Sequence, residues 1–161
     1  MKARKVSVAM FVVMLAAFVL VSNFGGTPSA AQEMRADNPF LVRSSLPYQL
    51  PPFDRIDESD YLPAFEQGMA EQLAEIEAIA GASDPPTFEN TLVPLERSGR
   101  VLERVAATFF SLSGADTTEA LDEIRTEVAP KLSAHSDRIL LNADLFARVR
   151  TLYDRREGLE L

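Results

Sequence analysis

The sequence predicts an all-α fold of about four helices. Apolar residues recur at steps of three and four over four stretches beyond Asp57. No stretch longer than a few residues alternates apolar and polar in the strand manner, and the β-branched residues are scattered. Residues of the capping type stand at the start of each stretch.

Residues 1–31 have the three-part pattern of a secretory signal peptide. Lys2, Arg4 and Lys5 supply the positive start, and Val6 to Val21 is an uncharged, almost wholly apolar run. Small and turn-forming residues follow, with Ser29 and Ala31 at the −3 and −1 positions of a cleavage site between Ala31 and Gln32. The expectation is a cleaved signal and export to the periplasm. The alternative is an uncleaved anchor through residues 6–24. The uncharged stretch from Val6 to Gln32 is long enough to cross a core of roughly 30 Å, but its strongly apolar part is shorter than the ~20 residues a spanning helix needs. The chain has no cysteine, which excludes disulfides, thiolate metal sites, cysteine nucleophiles and a lipoprotein anchor.

Residues 1–31 carry three of the 16 basic residues and none of the 24 acidic ones, leaving 13 against 24, a net charge of −11. Such a surface repels phosphate backbones, so no nucleic-acid partner is expected.

Residues 32–56 hold four of the ten prolines, Pro39, Pro47, Pro51 and Pro52. Each fixes φ, lacks a donor and biases its predecessor toward extended backbone. An extended segment is expected. Phe40, Leu41, Leu46, Tyr48, Leu50, Phe53 and Ile56 are many large apolar groups to leave in water, so it is expected to lie in a groove between helices.

Residues 57–161 are the helical part. The first helix is read from Leu62, Phe65, Met69, Leu73, Ile76 and Ile79, capped by Ser59 or Asp60 and stopped at Gly81. Pro63 falls in its first turn, where a missing N–H is harmless. The second is read from Phe88, Leu92, Leu95, Leu102, Val105, Phe109 and Leu112. A cap at Thr87 would put Pro94 in the second turn and require a kink, whereas a cap at Thr91 makes Pro94 harmless. The third begins at a capping box of Asp116 and Glu119 and carries Leu121, Ile124, Val128, Leu132 and Ile139. Pro130 is expected to kink or split it. Asn142 caps the fourth, through Leu145, Phe146, Val149, Leu152 and Tyr153.

The spacing of polar residues yields no catalytic or metal residues. His135, the only histidine, stands three residues after Leu132 and four before Ile139, bordering an apolar face, and reads as a helix residue. A motif of the H-E-x-x-H type needs two histidines on one helical face. Ser133 and Ser136 flank His135 but point away from it. There is no G-x-S-x-G elbow, phosphate-cradling glycine loop or calcium loop. Carboxylate pairs such as Glu71 and Glu75 read as a solvated helix face.

Three blocks carry a resemblance: "NPFLVRSSLPYQLPPFDRIDESDYLPAFEQGMAEQ", "TFENTLVPLERSGRVLERVAATFFSLSGADTTEAL" and "EVAPKLSAHSDRILLNADLFARVRTLYDRR". The chain resembles, over residues 38–158, the N-terminal part of the thimet-oligopeptidase-like zinc metallopeptidases, and among them the bacterial peptidyl-dipeptidase branch. The resemblance implies a helical piece of one lobe of a two-lobed enzyme, walling a narrow channel that admits short peptides and excludes folded proteins. It implies release of C-terminal dipeptides. It also implies zinc, held by H-E-x-x-H and a later glutamate in the C-terminal half, where the motif's glutamate activates the zinc-bound water. The sequence reaches Leu161 without that motif. No catalytic or metal residue therefore transfers to a position here, and the substrate-binding residues stay unknown. The expectation is the N-terminal part of such a peptidase, inactive alone, with the C-terminal catalytic half as its missing partner. A stand-alone extracytoplasmic helical binding module and one half of a split peptidase are the alternatives.

Overall fold

A computed structural model of the chain describes residues 37–158. The signal or anchor segment, with Ala31 and Gln32, lies outside them. The described residues are helical and contain no strand. Four longer helices are present, with one short additional helix: α1 (Tyr61–Ala80), α2 (Val93–Arg97), α3 (Arg100–Ala115), α4 (Glu119–Leu140) and α5 (Ala143–Asp154).

Helix α1 is central. Its buried stripe packs Tyr61, Phe65 and Met69 against Val105 and Phe109 of α3 and Leu121, Ile124 and Val128 of α4. Farther along, Ile76 and Ile79 pack with Leu145 of α5, joined by Leu95 and Ile139. Close approach of α1 and α3 depends on Gly68. A Cβ there would stand 2.8 Å from the Leu102 backbone. Phe109 is fully buried within these helices, its ring 5.2 Å from Tyr61 and 5.4 Å from Phe65, both edge-on.

Several local expectations change. α1 is preceded by a 3-10 turn, Glu58–Asp60, in which the Asp60 carboxylate accepts the Asp57 N–H at 2.9 Å. Asp60 thus stands at the cap position of α1, as expected, but its side chain turns back to the preceding turn. Both readings of Pro94 are reconciled by a π turn, Phe88–Leu92. Thr87 Oγ1 accepts the Asn90 N–H and Asn90 Oδ1 accepts the Thr87 N–H. The wide turn then delivers Pro94 to the first turn of α2, where it breaks no bond.

The second helix is not continuous. It breaks at Ser98–Gly99, where Gly99 has φ 74, a left-handed backbone natural only to glycine. The box at Asp116 and Glu119 does not form, because Asp116 ends α3. Thr118 caps α4 instead, accepting the Leu121 N–H at 3.2 Å. Pro130 neither splits nor ends α4. It sits on an exposed face beside exposed Thr126, so water serves the carbonyl that the ring deprives of a donor. Asn142 caps α5 as expected, through Leu145 N–H at 2.8 Å.

The proline-rich segment does not bury its apolar groups in a groove. Phe40 is buried beside Pro39, held by an Asn38 side chain that donates to Asp60 O and accepts the Phe40 N–H, and Ile56 is partly buried against the core. Leu46, Tyr48, Leu50 and Phe53 are exposed. Short 3-10 turns at Pro47–Gln49 and Phe53–Arg55 fold the segment upon itself and leave those side chains outward.

Candidate functional site

Between the two apolar clusters along α1 lies a polar junction. Gln72 stands three residues after Met69 and four before Ile76, in the same stripe as the core. Its Oε1 lies 2.7 Å from His135 Nε2 of α4, and its Nε2 donates to Ser98 Oγ at 3.4 Å. One turn on, Glu75 Oε2 accepts the Gly99 N–H at 2.7 Å. Glu75 is thus more than part of a solvated face: it fixes the left-handed turn between α2 and α3.

The carboxamide oxygen of Gln72 is an acceptor, so Nε2 of His135 carries the proton and Nδ1 is left bare. Nδ1 is buried and has no hydrogen-bond partner. Protonating it would place a charge and an unmet donor in a buried position. Burial, with the nearby Arg138 charge adding to it, accordingly pushes His135 below the usual histidine range. A histidine tied to a carboxamide activates no nucleophile. The expectation of an ordinary helix residue at His135 gains its geometry here: it is a buried joint between α1 and α4.

A second polar joint holds the far end. Arg148 of α5 is buried and donates through Nη1 to Ala82 O at 2.8 Å and Asp84 O at 3.1 Å, and through Nη2 to Asn90 Oδ1 at 3.0 Å and Thr91 Oγ1 at 3.2 Å. It ties α5 to the stretch from the end of α1 to the π turn. Beside that stretch, Ile79, Ala82, Asn90, Val93 and Pro94 line a shallow cavity of about 520 Å³.

Among the described residues, no group of three or more histidine, cysteine, aspartate or glutamate side chains could hold a metal ion. The zinc that the resemblance implies thus has no such group to hold it among the described residues. No helix among the described residues is long and apolar enough to cross a membrane. What the described residues provide is a helical assembly with two polar joints.

Sequence reasoning placed His135 on its face but missed its partner Gln72, because a glutamine is passed over when apolar residues alone are counted. The spacing 65, 69, 72, 76, 79 was a sufficient signal. Arg148 had none: in sequence it is one of two arginines on a helix of balanced charge.

The described residues form an all-α assembly. No family model matches the chain. Among curated proteins, it is 44% identical over 128 residues to a dipeptidyl carboxypeptidase of Escherichia coli (strain K12), covering 80% of this chain and 19% of that protein. It is 44% identical over 124 residues to a dipeptidyl carboxypeptidase of Salmonella typhimurium, covering 77% of this chain and 18% of that protein. Oligopeptidase A of Escherichia coli (strain K12) is 27% identical over 117 residues, 73% of this chain and 17% of that protein. The chain is thus homologous to a portion of this peptidase branch, and it spans less than a fifth of the length of those relatives.

Proposed function

We propose that these helices belong to an exported zinc metallopeptidase that acts on short peptides and releases C-terminal dipeptides. The observation that carries this reading is the 44% identity, over four-fifths of the chain, to two proteins named dipeptidyl carboxypeptidase. Those relatives supply the peptidase class and the dipeptide product. Export to the periplasm rests on the charged start, apolar run and small-residue site before Gln32. The described helices contribute a rigid wall, stiffened by the Gln72–His135 and Arg148 joints, and zinc and its base lie in another part of the enzyme.

The test is peptide cleavage by the native protein purified from its source cells after osmotic release of the periplasm. Expected is dipeptide release from a short peptide with a free C-terminus, lost on chelation and restored by zinc. The 161-residue polypeptide alone is expected to release none. Internal cleavage without dipeptide release, or activity indifferent to chelators, would overturn the reading. Recovery only from the cytoplasm would overturn the export.

A further inference from the structure

One concavity reverses the charge of the chain. Arg43, Arg97, Arg100 and Arg104 line a cavity of about 590 Å³ together with Ser44, Gln49, Ala107 and one acidic residue, Glu103. Four cations and one anion meet there, on a chain whose net charge is −8.

The fold builds this arrangement. Arg100 and Arg104 are four residues apart on α3 and share a face. Gly99, left-handed and anchored by Glu75, turns the chain so that Arg97 at the end of α2 joins them. Arg104 Nη1 donates to the Phe40 and Val42 carbonyls, which fastens the 40–50 segment to the rim. That segment is closed on itself. Arg43 Nε donates to Gln49 Oε1 at 2.9 Å, and Ser44 Oγ donates to Leu50 O at 2.6 Å. Tyr48 and Gln49 are both left-handed, at φ 57 and 58, a costly backbone for two consecutive residues that are not glycine. The closure presents Gln49 to Arg43 and leaves Val42, Leu46 and Tyr48 exposed.

The guanidinium groups of Arg97 and Arg100 make no hydrogen bond or ion pair among the described residues. Both are exposed. Unengaged guanidinium groups around a concavity match carboxylates, which they grip with two parallel hydrogen bonds. The volume exceeds what one small oxyanion fills, and the lining is almost wholly polar. We infer that this cavity binds an extended peptide segment bearing carboxylate side chains. A concave, loop-bounded site suits such a chain better than a flat anionic membrane. The inference rests on the charge and shape of this cavity and not on the peptidase reading.

Binding is measured by fluorescence anisotropy of a labelled, unstructured octapeptide of alternating glutamate and leucine, against its glutamine–leucine counterpart. The full chain is expected to bind the glutamate peptide, and more weakly as salt screens the charges. The Arg97→Gln/Arg100→Gln double variant is expected to bind about tenfold more weakly. Arg156→Gln, outside the cavity, is expected to bind as the parent does. Since neither side chain in the double variant is bonded, its circular dichroism should match the parent, and the salt dependence of the parent is an independent readout. Equal binding of both peptides, an unchanged double variant, or displacement of the peptide by anionic vesicles but not by unlabelled peptide would overturn the inference.

Discussion

His135 Nε2 and Gln72 Oε1 lie 2.7 Å apart across the interface of α4 and α1, at the only histidine of the chain. The contact is made by the neutral ring, and the other ring nitrogen is buried without a partner. His135 is held below its ordinary value of 6.5 by burial first and by Arg138 second. Below 6.5 the unfolded chain binds a proton that the folded chain resists, so stability rises with pH in that window. The contribution is fully present above about 6.5 and is lost as pH falls toward the lowered folded value. Urea midpoints of the parent should therefore drop between about pH 7 and pH 5.5, and those of His135→Gln should drop less. Equal drops in the two proteins would sink this account.

Gly68 and Leu102 impose a tighter constraint. The Cβ of an alanine at 68 would meet backbone atoms of α3 at 2.8 Å, and backbone cannot swing aside as a side-chain tip can. Alanine improves helix propensity by about 1 kcal/mol, but overpacking costs about 1–3 kcal/mol. Gly68→Ala should be net destabilising, with a lower urea midpoint. A gain in stability would show that α1 and α3 separate freely.

The sequence carried the helices because their apolar spacing and their caps agree: Asn142 before α5 and the Phe65–Met69–Ile76–Ile79 stripe needed no tertiary information. It did not carry the break at Gly99. The step of seven from Leu95 to Leu102 fits a continuous helix, and the break depends on Glu75, 24 residues away. Pro130 lies inside α4 without splitting it. A proline costs a helix less when the freed carbonyl is wetted, and wetting is set by packing. The joints were harder still. Arg148 gathers acceptors from residues 57 to 66 positions away, which no local pattern reports. The arginine cavity likewise required Arg43 to fold back upon α3.

Phe109 anchors the larger cluster, with Tyr61, Phe65 and Phe110 around it at 5.2, 5.4 and 5.2 Å. Truncation of a buried phenylalanine removes its transfer energy and leaves a cavity, together about 3–5 kcal/mol. Phe109→Ala should lose that much in urea unfolding. Phe110→Ala, at a ring 46% exposed, should lose clearly less. Equal losses would mean that the described packing around Phe109 is wrong.

Arg148 supports the last prediction. Its guanidinium is buried and makes no ion pair among the described residues. It is stabilised by four neutral acceptors, two of them backbone carbonyls. Methionine has similar reach but no donor, so Arg148→Met leaves Ala82 O and Asp84 O without their bonds and should cost about 2–3 kcal/mol. Lysine offers a single point of attachment and cannot serve acceptors spread across a fork, so Arg148→Lys should rescue little. The effect should be local before it is global, because α5 keeps its apolar contacts to Ile76 and Ile79. Amide exchange at Asn90, Thr91 and Leu92 should therefore accelerate more than exchange at Val105 or Val128 in the larger cluster. Uniform acceleration across both sets would mean that Arg148 supports the whole fold. No acceleration at the π turn would mean that its four bonds do not hold that segment to α5.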